Sequence, residues 1–303
     1  MRLIKEISQM KDCRKKIKAP QTVGLVPTMG AFHEGHLSLI RKARQQCDKV
    51  VVSIFVNRIQ FGKGDDYQRY PRNLSEDISL SEKEGVDVVF APSLEEMYPQ
   101  DYSTFVQVGG PLSSTLEGAS RSGHFKGVAT VLIKLFNIVK PDFSYFGEKD
   151  YQQVLIVKKV VDELNLDTQI IVLPTIREKD GLALSSRNSY LNKEERKAAV
   201  ILYKALEKAK LWIEEGERNP FSIVSKIKDL IKKESLAKLD YVAVVNPETL
   251  EKVEDIKGEV LALLAVSIGK ARLIDNLLLI AGRSYLEKKE KKFSIERSIK
   301  KCE

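Results

Sequence analysis

Val23-Gly24-Leu25-Val26 runs into Pro27-Thr28-Met29-Gly30-Ala31-Phe32-His33-Glu34-Gly35-His36, and Leu37-Ser38-Leu39-Ile40 follows. An apolar run, a polar stretch containing glycine and a second apolar segment read as a buried strand turning sharply into a helix. Nucleotide phosphates bind at such turns. The helix N-terminus offers unpaired N–H groups and partial positive charge, and Gly30 and Gly35 have no Cβ to keep a phosphate from the backbone. His33 and His36 lie three residues apart in one helical turn, share a face and can reach one phosphoryl group together. They are two of the three histidines in the chain. The plainer alternative is a helix cap, with Glu34 and both imidazoles solvated near the helix dipole. Zinc is a weaker reading, because the protease pattern places its histidines at i and i+4 around a glutamate. Cys13, Cys47 and Cys302 lie too far apart to add a paired ligand motif.

Working outward, further apolar runs read as buried strands at 22–26, 50–55, 86–90, 143–146 and 169–173, with 104–108 as another candidate. Helical periodicity fills the intervals at 36–47, 74–84, 128–139 and 151–164. This alternation predicts an α/β fold, a Rossmann-like doubly wound parallel sheet whose ligands sit beyond the carboxyl ends of the strands. After Pro174 the pattern changes to helices at 192–215 and 221–235, then strands at 241–245 and 260–268 separated by the turn signal Asn246-Pro247-Glu248. The expected division is therefore 1–175, a nucleotide- and substrate-binding domain, and 176–303, a second, smaller α+β lid domain with a basic tail.

A chain of 303 residues is long enough for two cores. No stretch has the roughly 18 uninterrupted apolar residues of a membrane span, and the N-terminus lacks a signal-peptide core. With scattered, odd-numbered cysteines, this predicts a cytoplasmic protein without membrane partners. The net charge of +8 raises nucleic acid as a partner. However, basic residues alternate with acids in runs such as Lys193-Glu194-Glu195-Arg196-Lys197, the pattern of a solvated face. The tail at 287–301 is more basic, yet no zinc-finger spacing or RNA-recognition motif accompanies it, so no nucleic acid is expected.

Three other constellations carry chemistry. Phe146-Gly147-Glu148-Lys149-Asp150-Tyr151-Gln152-Gln153 repeats the strand, glycine, helix layout. There Lys149 suits phosphate, Asp150 can accept from ribose hydroxyls, and Gln153 can bond a hydroxyl or carboxylate. Asp180-Gly181-Leu182-Ala183-Leu184-Ser185-Ser186-Arg187-Asn188 sets hydroxyls beside a guanidinium, which suits a triphosphate, although an N-cap explains the serines equally well. Asn57-Arg58-Ile59-Gln60-Phe61-Gly62 follows the second strand and brings neutral amides to the same sheet edge. The adjoining Lys63-Gly64-Asp65-Asp66-Tyr67 reads as a mobile lid or a surface loop. His124 is an active-site group or a helix-start cap, and Asp77 and Glu117 are candidate metal contributors.

Taken in order, Pro27-Thr28-Met29-Gly30, Gln60-Phe61, Tyr70-Pro71-Arg72, 147–153, Ser185-Ser186-Arg187-Asn188 and Ala271-Arg272-Leu273-Ile274-Asp275-Asn276 resemble the pantothenate synthetases, a family of the nucleotidyltransferase superfamily. Its His-x-Gly-His signature is similar to His33-Glu34-Gly35-His36 here. The resemblance implies ATP-dependent condensation of pantoate with β-alanine through a pantoyl-adenylate, with magnesium, in a cytoplasmic homodimer. It also implies ATP contacts at Met29, Gly30, Ala31, Phe32, His33, Glu34, Gly35, His36, Gly147, Glu148, Lys149, Asp150, Ile176, Leu184, Ser185, Ser186 and Arg187. Gln60 and Gln153 match pantoate-binding glutamines, Gln60 also matches a β-alanine position, and His36 matches a proton donor. On that basis His33 and His36 are expected to act at the α-phosphate, and Lys149 and Arg187 at the departing pyrophosphate. The family usually has proline at Arg58 and methionine at Leu184. The rival readings are an adenylyltransferase acting on a phosphate ester and a nucleic-acid-binding protein using the tail.

Overall fold

The structure, a computed structural model, describes residues 1–282; the basic stretch 287–301 and Cys302 lie outside the described residues. The chain divides into two compact units, Met1–Asn192 and Lys193 onward.

In the first unit, β1 (Arg2–Ile4), β2 (Val23–Thr28), β3 (Lys49–Ile54), β4 (Val88–Phe90), β5 (Phe143–Gly147) and β6 (Gln169–Leu173) form a parallel sheet in the order β1-β4-β3-β2-β5-β6. Its helices are α1 (Ile7–Lys16), α2 (Glu34–Gln46), α3 (Leu74–Lys83), the short α4 (Leu94–Met97), α5 (Pro111–Ser114) and α6 (Glu117–Ser120), then α7 (His124–Val139) and α8 (Tyr151–Glu163). Successive strand residues point to opposite faces. Leu25, Val51 and Phe90 pack with Val128, Leu132 and Leu135 of α7, whereas Val26, Val50, Val52 and Val89 pack with Ile40 and Ala43 of α2. Both faces are thus covered, so β2 and β3 read as unbroken apolar runs rather than alternating ones. Each such Val, Leu or Phe contributes roughly 1.5–3 kcal/mol by leaving water. From β2 the chain goes to β3 on one side, and β5 flanks β2 on the other. The strand order therefore reverses between β2 and β5, where doubly wound sheets open a crevice.

In the second unit, α9 (Lys193–Ala199), α10 (Ile201–Glu214) and α11 (Pro220–Lys232) precede β7 (Ala237–Val245), β8 (Glu259–Ile268) and β9 (Ala271–Ile280), which form an antiparallel sheet in the order β7-β8-β9. Leu202, Ala205, Leu206, Ala209 and Ile213 of α10 and Ile223, Ile227 and Ile231 of α11 recur at helical spacing and are buried. Asn219 caps α11 by accepting from Phe221 N (2.9 Å) and Ser222 N (3.2 Å), with Pro220 in the first turn.

Several expectations change. Residues 104–108 form no strand, because Val106 N donates to the Thr130 hydroxyl of α7 (3.0 Å) rather than to a ladder. The helix expected at 192–215 is broken at Val200, whose N–H bonds to Lys197 O in a tighter turn. β1 was not expected: three residues are too few for a periodicity to register. The division falls after Asn192 rather than near residue 175. The intervening loop is tied to the first unit by Ser186 Oγ on Ala31 O, by Arg187 on Asp66, and by the Tyr190 hydroxyl on Asp66 and Arg69 O. No described helix is long and apolar enough to cross a membrane.

Candidate active site

The turn after β2 is held from within. Gly30 (φ 84°) and Ala31 (φ 54°) are both left-handed, a conformation that costs a non-glycine residue roughly 1–3 kcal/mol. Asp77 of α3, 1 % exposed, offsets that strain by accepting from Ala31 N (2.9 Å) and Phe32 N (2.8 Å). Burial pushes the Asp77 carboxyl up, and these two donors pull it back. A Cβ on Gly30 would stand 2.8 Å from Asp77 Oδ2. Gly30 N donates to Thr28 Oγ1 (3.2 Å), Gly35 N to His33 Nδ1 (3.1 Å) and His36 N to His33 O (2.8 Å). The N–H groups expected to face a phosphate are therefore largely engaged by the turn itself. Gly35 makes room for the His33 ring, 2.9 Å from where its Cβ would be. Asp77 is a backbone clamp.

Those bonds set the tautomers. His33 Nδ1 accepts from Gly35 N, and His36 Nδ1 accepts from His33 N (3.4 Å), so each neutral ring carries its proton on Nε2. The rings lie 4.2 Å apart, centroid to centroid. Burial lowers His33 to about 4, aided by the Lys149 charge and opposed by Asp150. Burial, then His33, then Lys149 lower His36 to about 3. Both are neutral N–H donors at physiological pH.

At the end of β5, Gly147 leaves open space where a Cβ would stand. Lys149 is mostly buried, 3.8 Å from Asp150. Gln153 of α8 lines the same cavity, and its side-chain amide has no hydrogen-bond partner among the described residues. Its neighbour Gln152 is structural: buried, it donates to Leu112 O and Thr115 O and accepts from Glu117 N.

Beyond β3, Gln60 closes a 3₁₀ turn, Arg58–Gln60. Its carbonyl accepts from His124 Nδ1 (2.9 Å), and its main chain crosses Gly127 so closely that a Cβ there would lie 2.5 Å from Gln60 N. His124, although first in α7, is thus bonded to a cavity residue. Burial and the Arg121 charge lower its pKa to about 4. Arg58 opens the 3₁₀ turn, donating to Phe61 O (3.0 Å) with its guanidinium over the Tyr67 ring.

On the loop after β6, Arg187 makes a two-pronged ion pair with Asp66 (2.7 and 2.8 Å), and the Tyr190 hydroxyl joins at 3.1 Å. Burial disfavours the Arg187 charge, but Asp66 outweighs it and raises the pKa; burial likewise opposes Asp66, which Arg187 holds below the ordinary carboxylate range. Asp66 belongs to the stretch read as a lid or a surface loop.

One cavity of about 230 Å³ gathers Met29, His33, Gly35, His36, Gln60, Gly147, Lys149, Asp150, Gln153, Ile176, Leu184, Ser185, Ser186 and Arg187. Of the other expected residues, Gly30, Ala31 and Phe32 shape the turn behind it, Glu148 lies outside the lining, and Glu34 is exposed and paired with Arg41. Sequence reasoning left Tyr70, Val128 and Leu132 unassigned, though all line the cavity. Val128 and Leu132 belong to an apolar helical period that reads as core, and Tyr70 stands in a loop without periodicity. No cluster of three or more His, Cys, Asp or Glu suited to a metal occurs among the described residues.

The family model for pantoate-β-alanine ligase matches residues 2–278. The pantothenate synthetase of Caldicellulosiruptor bescii is 52 % identical over 93 % of this chain and 100 % of its own length, and that of Fervidobacterium nodosum is 54 % identical over 92 % and 99 %. The crystal structure of the Thermus thermophilus pantothenate synthetase superposes with a TM-score of 0.87 at 45 % identity, covering 91 % of this chain and 99 % of that one. The Francisella tularensis pantoate-β-alanine ligase, complexed with β-γ ATP and β-alanine, gives 0.78 at 40 % identity over 92 % and 97 %.

Proposed function

The chain belongs to the pantoate-β-alanine ligase family, and from that premise we propose how its own residues carry the reaction. The enzyme joins pantoate to β-alanine with ATP. A carboxylate does not condense with an amine at neutral pH, because oxide would have to leave; ATP supplies AMP as the leaving group instead. The pantoate carboxylate attacks the α-phosphorus and pyrophosphate departs. The β-alanine amine then attacks the acyl carbon of the pantoyl-adenylate, and AMP departs.

The observation that carries this reading is the convergence, in one cavity at the ends of β2 and β5, of two imidazole Nε2–H donors, Lys149 and the amides of Gln60 and Gln153. His33 and His36 donate to the α-phosphate oxygens as charge builds there, each such donor being worth on the order of 100-fold or more in rate. A neutral His36 offers a hydrogen bond rather than a proton, and the negative triphosphate beside it raises its pKa toward the range where it can give one. Lys149 meets the phosphate charge, and Arg187 meets the pyrophosphate once it leaves Asp66. Gln60 and Gln153 hold pantoate, with Gln60 also next to the β-alanine position. Neutral amides there agree with an acceptor that is an acid rather than a phosphate ester.

A magnesium ion carried by the triphosphate would neutralise part of the phosphate charge; the described residues offer no cluster of three or more His, Cys, Asp or Glu to hold one themselves. Homodimeric assembly belongs to the same proposal and is read by light scattering across protein concentration. The mechanism is tested by partial reactions: ATP–pyrophosphate exchange requires pantoate but not β-alanine, and net turnover releases AMP. Exchange without pantoate, or release of ADP, overturns it.

A further inference from the structure

We propose that Tyr98 is a positioning residue for the acid substrate: through Asn57 it fixes the orientation of the Gln60 amide, so that Gln60 presents its NH₂ group, not its oxygen, to the cavity. This rests on the reading that Gln60 holds pantoate. The two ends of a glutamine amide are opposite in chemistry, one donating twice and the other only accepting. Which end faces the ligand decides whether the side chain selects an oxygen acceptor or an N–H or O–H donor.

The main chain of Gln60 is already pinned by His124 and by its passage over Gly127. The polarity of the amide is set elsewhere. Asn57, 1 % exposed, donates from Nδ2 both to Gly127 O (3.0 Å) and to Gln60 Oε1 (3.0 Å). A main-chain carbonyl only accepts, so Asn57 must turn its NH₂ toward Gly127. That leaves Asn57 Oδ1 buried on the other side and in need of a donor. The Tyr98 hydroxyl supplies it at 2.9 Å. Burial pushes the phenol pKa up, followed by the neighbouring Tyr102, so the donor keeps its proton. The Tyr98 ring is packed between Phe55 (6.0 Å between centroids) and Tyr102 (4.9 Å).

With both Asn57 hydrogens committed, Gln60 Oε1 is satisfied and Gln60 Nε2 faces the other way. There its one partner among the described residues is Met29 Sδ at 3.0 Å, a weak acceptor. Gln60 is 7 % exposed and lines the cavity, so its second amide hydrogen awaits an oxygen from a ligand. A carboxylate or hydroxyl oxygen of the acid fits that demand. An amide turned the other way would set its oxygen against the same group and repel a carboxylate.

The experiment measures pantoate KM, ATP KM and thermal midpoint for Tyr98→Phe, Gln60→Ala and the double variant. Tyr98→Phe removes one oxygen and is expected to raise pantoate KM about 5-fold while ATP KM stays within about 2-fold; Gln60→Ala is expected to raise pantoate KM about 10-fold. In the Gln60→Ala background, Tyr98→Phe is expected to add nothing, because the group it orients is gone. A merely structural role would lower the thermal midpoint without this coupling. If Gln60→Ala raises pantoate KM and Tyr98→Phe does not, or if the two effects multiply in the double variant, the positioning role is overturned and the Gln60 reading stands. If Gln60→Ala leaves pantoate KM unchanged, the Gln60 reading falls and this proposal falls with it.

Discussion

Residues 30–36 and Arg187 line or shape the same cavity but are held in opposite ways. In the turn, Thr28, Asp77 and the two imidazoles accept from the main-chain N–H groups of Gly30, Ala31, Phe32, His33 and Gly35, so the Nε2–H donors are in place before any ligand arrives. Arg187 carries a full charge already matched by Asp66, with Tyr190 as a third member. The Nε and Nη2 donors are spent on Asp66, so those two reach a phosphate only by exchanging partners. The turn resembles a preorganised electrostatic site, which needs no rearrangement as the reaction proceeds, and the Asp66–Arg187 pair resembles a latch that a triphosphate displaces.

The largest expected effect separates the two directly. His36→Ala and Lys149→Ala should each slow adenylate formation by on the order of 100-fold or more at saturating ATP, because they remove groups aimed at transition-state charge. Arg187→Ala should show much of its loss as a raised KM for ATP. Single-turnover rates against ATP concentration read the difference, and equal losses at saturation with unchanged ATP KM for all three would erase it.

Gly30→Ala tests the rigid side. A side chain at φ 84° whose Cβ meets Asp77 Oδ2 at 2.8 Å must disturb the clamp, and the expected loss is roughly 1 to 3 kcal/mol of folding stability, read by denaturant titration. An unchanged midpoint would mean that the turn is not locked. Asp66→Asn tests the latch. Removing the charge leaves Arg187 without its counter-ion, so the ligand-free midpoint should fall while the ATP-induced rise in midpoint grows, with ATP KM lower by about 5-fold. A higher ATP KM would make Asp66 part of the binding surface instead.

The smallest expected effect is that of pH. His33 (about 4) and His36 (about 3) lie below the ordinary value near 6.5 in the folded protein. The unfolded chain therefore binds more protons below about pH 6.5, and stability falls as pH drops from there toward 4. Between pH 7 and 6 the loss should stay under about 1 kcal/mol per imidazole. A stability that instead rose on mild acidification would show that these rings are charged in the folded state, and the neutral-donor description of the turn would fail.

Much of this was legible in the chain. Unbroken runs such as Val50-Val51-Val52 announce strands buried on both faces, and their alternation with helical periodicity leaves few topologies open. The spacing of His33 and His36 places both rings on one helical face, because 3.6 residues per turn is a local property. Motif order along the chain also identified the family, as the comparisons bore out. Other features had no local signal. The 104–108 segment has strand composition, but Val106 at its centre bonds to Thr130 of a helix that follows later in the chain.

Partnership across long sequence separation was decided only in three dimensions. Asp77 reads as a free carboxylate until α3 brings it under the turn at Ala31 and Phe32, 46 and 45 residues away. Asp66 reads as loop until it meets Arg187, 121 residues on. Tyr98 reads as one more aromatic until its hydroxyl meets Asn57, 41 residues back. The sequence by itself determined which elements form and which chemical groups stand at their ends, since helix and strand periods and turn residues act over a few positions. Tertiary structure alone decided which of those groups are spent on one another and which are left for a substrate, since burial, desolvation and hydrogen bonding depend on neighbours that chain order does not reveal.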